Sequence, residues 1–202
     1  MPVKLFDLVP QTGGVFFSPP CLRTRLALIH KQLPFEVEEI TYHDLRFIWK
    51  DRLGVQKATA PIIQREDGSY LMDSDKIAAY LDKAYPDRPN LYLPDSSTPV
   101  NLDSAEYSSA KQAAAAEIVN QLHERIKEAT ANKLGDQDLF FTSAIKPGYT
   151  DFYVLCDYRL LRSVSPKLAC DVYEADERFA AWLERMKQAY PMPEVWERDP
   201  EA

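Results

Sequence analysis

The chain has 202 residues, 46% hydrophobic and 27% charged, enough to bury one large core or two small ones and too apolar for wholesale disorder. Lysine and arginine number 24 against 31 acidic residues, a formal charge of −7 with no dense basic cluster, so a phosphate-coating nucleic-acid binder is excluded. No stretch approaches the roughly eighteen consecutive apolar residues of a membrane span, and MPVKLFDLVP reads as a first strand rather than a secretory signal. Cys21, Cys156 and Cys170 are few, odd in number and scattered. They form neither a disulfide framework nor a metal site and suit a reducing, cytoplasmic setting.

The first ninety residues alternate strand and helix signals. Lys4–Val9 reads as a short buried strand, ended by Pro10 and Gly13-Gly14. Ser18-Pro19-Pro20 opens a helix in which Leu22, Leu26 and Ile29 recur at helical spacing to about Lys31. Leu33-Pro34 breaks it, and Phe35–Tyr42 reads as a second strand, joined to the first by a right-handed crossover. Residues 43–60 read as irregular, with a short helix around Leu45–Lys50. Pro61–Gln64 and Tyr70–Met72 form a hairpin around Asp67-Gly68. Asp73-Ser74 then caps a helix that ends at Tyr85-Pro86. The order βαβ, short helix, ββα is a small α/β domain of thioredoxin type over residues 1–90.

Leu91–Pro99 reads as a linker, and residues 100–202 read as all helix. Ser104–Lys133 is rich in strong helix formers. Gly148 and Asp151 form a capping-box pattern before an aromatic-rich helix to about Arg162. Ser165-Pro166 restarts the chain, and Phe179, Trp182, Leu183 and Met186 make an apolar stripe.

The chemistry concentrates in the first half. In a thioredoxin-type domain the first strand meets the first helix at a fixed site, here Ser18-Pro19-Pro20-Cys21. A helix N-terminus carries unpaired N–H groups and about half a positive charge, which favours a thiolate. Ser18 occupies the first position of a C-x-x-C pair, so one chain has no dithiol cycle there. What remains is a hydroxyl able to donate to a sulfur brought from outside. Ala60-Pro61 precedes the third strand, where a cis proline would expose the backbone of Ala60 to an extended peptide. Asp73-Ser74 suits a ligand carboxylate through Ser74 and an ammonium through Asp73. Gln56 and Lys57, just upstream, can meet a second carboxylate. An anion site, a backbone strand and a thiol site in one row describe extended glutathione.

The motifs SPPCLRTRLAL, APII, MDSDKIAAYL and the GYTD cap resemble those of the cytosolic glutathione transferases along nearly the whole chain. SPPCLRTR and TYHDLR are most similar to the fungal, etherase-related FuA class. The resemblance implies that Ser18 activates the thiol and that Ala60 and Pro61 hold the cysteinyl backbone. Asp73 and Ser74 would take the γ-glutamyl end, and Lys57 or Gln56 the glycyl carboxylate. It implies glutathione as co-substrate, a small hydrophobic or aromatic electrophile lodged against the helical half, and no metal. It also implies two long helices between the linker and the GYTD cap, whereas only about Thr98 to Ile145 are available, so the helical half reads as shortened and homodimerisation stays open.

Each of these residues has a plainer reading. Ser18 and Asp73-Ser74 are also ordinary helix caps, and Cys21 is a small buried apolar residue or, failing that, a backup nucleophile. Arg23 and Arg25 steer an anionic ligand or pair with neighbouring acidic loops. Phe16, Phe17, Tyr107, Tyr149, Phe152 and Tyr153 line an acceptor pocket or form core. His30, His43 and His123 read as surface or structural. Three activities follow from the constellation: transfer of glutathione to an electrophile, a non-catalytic ligandin binding aromatic metabolites, or thiol transfer through Cys21.

Overall fold

The computed structural model describes residues 2–14, 17–93, 123, 124, 126, 127, 139–141 and 145–191. The chain divides into two compact units, Met1–Leu91 and Tyr92–Ala202. Among the described residues no helix is long and apolar enough to cross a membrane.

In the first unit β1 (Val3–Leu8), β2 (Phe35–Ile40), β3 (Ile62–Gln64) and β4 (Tyr70–Met72) form one sheet in the order β2-β1-β3-β4. The β1–β2 pair is parallel from Val3↔Phe35 to Leu8↔Ile40, as the strand–helix–strand reading requires. The β1–β3 and β3–β4 pairs are antiparallel. The hairpin turns where Asp67-Gly68 places it: Gly68 adopts φ +83°, and Asp67 Oδ1 accepts from the Ser69 N–H.

Helix α1 (Pro19–His30) starts on Ser18, whose carbonyl accepts the Leu22 N–H. Its end is a Schellman turn with Gln32 at φ +53°, the Leu33 N–H returning to the Leu28 carbonyl. Residues 42–53 depart from the expectation of an irregular segment with a short helix. Tyr42–Asp44, Leu45–Trp49 and Lys50–Leu53 run on as one helix, α2, with a π-type middle in which the Lys50 N–H reaches the Leu45 carbonyl. The cause is a capping box. Thr41 Oγ1 accepts from the Asp44 N–H, and Asp44 Oδ2 accepts from the Thr41 N–H. That cap also stops β2 at Ile40. Gly54 at φ +66° ends the helix. Helix α3 (Ser74–Ala84) completes the unit with Ile77, Ala78 and Leu81 buried.

Charged groups are drawn into this unit in pairs. Lys31 is fully buried at the end of α1, with Nζ 2.6 Å from Asp82 Oδ1 of α3 and also donating to the Tyr85 carbonyl. Asp82 in turn accepts the Leu91 N–H, so one ion pair ties both helices to the exit of the unit. Beneath β1 and β3, the core cluster of Phe6, Leu8, Cys21, Ile40, Leu45, Trp49, Ala58 and Ile62 fills the space between sheet and α2.

The described part of the second unit is helical: α4 (Tyr149–Val164), α5 (residues 166–174) and α6 (Glu177–Ala189). The expected stripe of Phe179, Trp182, Leu183 and Met186 is buried throughout. Trp182 packs edge-on against Phe141, ring centroids 4.8 Å apart, and against Phe179 at 4.9 Å. The long helix expected over Ser104–Lys133, the linker from residue 94 and the shortening of the helical half lie outside the described residues.

Asp151 organises the start of α4. Its Oδ2 accepts the Gly148 N–H at 3.0 Å, and its Oδ1 accepts both the Phe141 N–H at 2.8 Å and the Trp182 indole N–H at 2.9 Å. Asp151→Ala would strand three donors in a dry environment. It is expected to lower the stability of this unit by about 3 kcal/mol or more. Urea unfolding followed by tryptophan fluorescence would measure this, and a loss under about 1 kcal/mol would refute the hub.

Candidate functional site

The register brings the sequence-predicted residues to one end of the sheet. Phe6 of β1 lies opposite Ile62, and Ile62 opposite Met72. Because β3 runs against β1 and β4 against β3, three chain segments meet there: the exit of β1 towards Ser18, Ala60-Pro61 entering β3, and Asp73-Ser74 leaving β4. The Thr59 hydroxyl also contacts the Met72 sulfur at 3.9 Å. Ala60 and Met72 both pack on the cluster that contains Cys21.

Ser18 is buried at the entrance of α1, its backbone extended at φ −76°, ψ 115°. Its side chain makes no cap bond; the hydroxyl lies beside the Cys21 sulfur, where it favours the ionised thiol. Pro19 and Pro20 remove two of the four donors that a helix entrance ordinarily leaves unpaired. The anion-holding capacity of this entrance therefore rests on the Ser18 hydroxyl, the remaining Ser18 and Cys21 N–H groups and the helix dipole.

Cys21 is fully buried. Burial pushes its thiol up, the Asp7 carboxylate beside it pushes further, and the nearby Ser18 hydroxyl offsets only part. Such a thiol stays protonated and enclosed, the reverse of a reactive cysteine. Asp7, on β1, is itself fully buried, and burial raises its carboxyl although Arg25 Nη2 stands 2.6 Å from Oδ2. Arg25 thus pairs with the central strand rather than with an acidic loop.

Ala60-Pro61 is a cis peptide, as expected from its position. Asp73 sits at φ +83°, a left-handed backbone uncommon for a side-chain-bearing residue. Its Oδ1 caps α3 by accepting from the Asp75 and Lys76 N–H groups at 3.0 and 3.4 Å. Oδ2 lies 3.9 Å from the Lys76 ammonium. Ser74, the first residue of α3, is buried, and its Oγ accepts from Arg23 Nη2 at 3.3 Å. Sequence reasoning missed this link, which joins two residues 51 positions apart; no local pattern encodes it. Gln56 and Lys57 are exposed in the loop before Ala60.

Other candidates resolve as core or surface. Tyr149, Phe152 and Tyr153 are buried within the helical unit and Phe17 is exposed, whereas Phe16 and Tyr107 lie outside the described residues. His43 stacks on Phe47, His30 contacts the Asn90 carbonyl, and His123 meets the Tyr173 hydroxyl.

Residues 14–89 match the family model of the glutathione S-transferase N-terminal domain. This segment is similar to the N-terminal domains of that family. The fold, a thioredoxin-like unit followed by a helical one, matches that of solved glutathione transferases. The chain is similar in fold to glutathione transferase GSTFuA3 from Phanerochaete chrysosporium, with a TM-score of 0.67 at 19% identity over 96% of this chain and 99% of that one. It is similar to the Tau class glutathione S-transferase from mango, with a TM-score of 0.68 at 22% identity over 99% and 94%. A third match is the glutathione S-transferase CsGST63524 of Ceriporiopsis subvermispora, solved in complex with glutathione, with a TM-score of 0.66 at 19% identity over 96% and 99%.

The thiols offer a direct check. Among the cysteines Cys170 is partly exposed and Cys21 and Cys156 are buried. Alkylation of the native protein at pH 8 is expected to label Cys170 first, with Cys21 reacting only on unfolding. Peptide mass mapping that found Cys21 labelled first would overturn the enclosed state described above.

Proposed function

We propose that this chain is a glutathione transferase of serine type, related to the fungal FuA class, that activates the glutathione thiol and transfers it to a small aromatic electrophile. The observation that carries the reading is the convergence of Ser18, Ala60-Pro61 and Asp73-Ser74 at one sheet end, fixed by the Phe6↔Ile62↔Met72 register. In this reading the cysteinyl backbone of the tripeptide pairs with Ala60 as an added extended strand. Its γ-glutamyl carboxylate meets Ser74 at the N-terminus of α3, and its ammonium faces Asp73. Lys57 or Gln56 takes the glycyl carboxylate from the exposed loop.

The chemical step needs the thiol ionised. A free thiol of pKa about 8.5 is only a few per cent thiolate at pH 7. Lowering it by about two units requires roughly 2.7 kcal/mol, within reach of one charge-assisted bond plus the helix dipole. The prolines at the entrance place most of that duty on Ser18. Its hydroxyl, beside the neutral Cys21 sulfur, turns to the ligand thiolate because bonds to an ionised acceptor are about twice as strong. The thiol proton goes to solvent, and the sulfur electron pair attacks the electrophilic carbon, forming a C–S bond as the leaving group departs with its electrons.

Thiol transfer through Cys21 fits poorly, because that reaction needs an accessible thiolate and Cys21 is enclosed beside a carboxylate. Cys21→Ser is accordingly expected to keep glutathione turnover within about twofold.

The decisive measurement is a pH titration of the thiolate absorbance of protein-bound glutathione. The bound thiol is expected to titrate about two units below the free one, with Ser18→Ala returning most of that shift. An unchanged pKa in Ser18→Ala would remove Ser18 from the mechanism. Binding with no shift in the wild type would leave a ligandin, and no binding would end the glutathione reading.

A further inference from the structure

Asp7 stands on the central strand β1 and is fully buried. Arg25 Nη2 of α1 meets its Oδ2 at 2.6 Å, while Oδ1 is buried with no hydrogen-bond partner. The carboxylate is therefore balanced on one oxygen, by a guanidinium that is itself partly exposed. Cys21 lies one turn before Arg25 on α1, and Ser18 one further turn towards the helix entrance, so the three share a stripe. The Arg25 contact pins that stripe onto Asp7. It brings the carboxylate within two helical turns, about 10 Å, of the entrance at Ser18. Cys21, between the two, registers both: Asp7 opposes ionisation of its thiol and the Ser18 hydroxyl favours it. On β2 the register partner of Asp7 is Glu39, whose Oε2 accepts the Gly13 N–H at 2.7 Å. β3 and α3 bury the uncharged Ile62, Ile63, Ile77, Ala78 and Leu81. The charged and titratable groups set against Asp7 are thus Arg25 and Cys21 on α1 and Glu39 on β2.

We propose that the buried Asp7 carboxylate limits how readily a sulfur held at Ser18 ionises, and so keeps the bound thiolate a strong nucleophile. This rests on the reading of Ser18 as the thiol-activating residue. A fixed negative charge in a dry interior opposes a second one nearby. At about 10 Å and an effective dielectric near 20, one charge displaces a neighbouring titration by about one pKa unit. Arg25 cancels part of that, which leaves about half a unit. The limit serves the reaction, because thiolate nucleophilicity falls as the parent thiol becomes more acidic, and the best attacking thiol titrates near the ambient pH. Ser18 and the helix dipole pull the thiol towards ionisation, and Asp7 stops the pull short. Asp7 touches neither the ligand nor the reacting atoms; it acts on them through the field it sets across α1.

The test follows the thiolate absorbance of bound glutathione against pH in wild type, Asp7→Asn and the Asp7→Asn/Arg25→Gln double variant. Asp7→Asn keeps the shape and removes the charge, so the bound thiol is expected to titrate about half a unit lower than in wild type. The double variant also loses the opposing charge of Arg25; its thiol is expected between the other two, and it carries the test if Asp7→Asn fails to fold. Turnover of chlorodinitrobenzene at saturating glutathione gives a second readout. Asp7→Asn is expected to be faster than wild type at acid pH, where more of its thiol is ionised. At alkaline pH, where both thiols are fully ionised, it is expected to be about 1.7-fold slower, so the two profiles cross. S-methylglutathione, which has no thiol to ionise, is expected to bind all three proteins equally. A bound thiol that titrates at the wild-type value or higher in Asp7→Asn would overturn the proposal. Rates that fall in parallel at every pH, together with weaker S-methylglutathione binding, would make Asp7 a support of the fold and overturn it as well. A wild-type protein whose bound thiol titrates like free glutathione would instead fell the reading of Ser18, and the proposal with it.

Discussion

The placement of the site depends on one short antiparallel register. Phe6, Ile62 and Met72 stand abreast across β1, β3 and β4, and the segments beyond them all emerge at the same sheet end. β3 and β4 are each three residues long, too short to hold that register by ladder bonds alone. Packing supplies the remainder. Phe6, Leu8 and Ile62 press on Trp49 of α2 and on Cys21 of α1, while Ala60, Tyr70 and Met72 close the rim. Slipping a strand by one residue would turn these side chains to the opposite face. The buried thiol of Cys21 is thereby a packing element of α1 within this cluster.

Two ion pairs inside this unit connect elements that apolar packing alone would leave free to slide. Isolated charges would cost several kcal/mol each to bury, so each is matched. Asp7 meets Arg25 between β1 and α1, and Lys31 meets Asp82 between α1 and α3. The raised carboxyl of Asp7 shows that desolvation outweighs the attraction of Arg25. Such a pair contributes direction rather than net stability: it fixes where α1 sits. The helix whose entrance bears Ser18 is held to the central strand and to the helix that bears Ser74.

Much of this was legible in the sequence because it is local. Proline and glycine positions marked the strand ends, Asp67-Gly68 marked the hairpin, and Asp73-Ser74 and Gly148…Asp151 marked helix starts that the structure places at those residues. The Thr41…Asp44 cap was equally local, and it was passed over because the run after it, Leu45 to Leu53, has no clean 3.6-residue stripe. The π-type middle of α2 accounts for that, since a wider turn shifts which side chains face inward: Leu45 and Trp49 are buried while Phe47 and Ile48 are exposed. Long-range polar pairing was not legible at all. Nothing near Arg23 announces Ser74, and nothing near Lys31 announces Asp82, since each pair closes only when α1 and α3 pack.

The two prolines after Ser18 give the site its division of labour. A helix entrance with all its N–H groups can hold a thiolate through backbone donors and would depend weakly on any one side chain. Here Pro19 and Pro20 strip two donors from the first turn. The dipole remains, but it is worth about 0.3–1 kcal/mol, short of the roughly 2.7 kcal/mol that a two-unit shift requires. In the proposed transferase the hydroxyl of Ser18 would supply most of the difference. At the other end Asp73 occupies the Asp75 and Lys76 donors of α3, which in the same reading would leave anion recognition to Ser74. Each end of the site is thus reduced to one serine, and each serine has a buried partner, Cys21 for Ser18 and Arg23 for Ser74. In the proposed transferase a weak partner would suit the Ser18 hydroxyl, which turns to a thiolate.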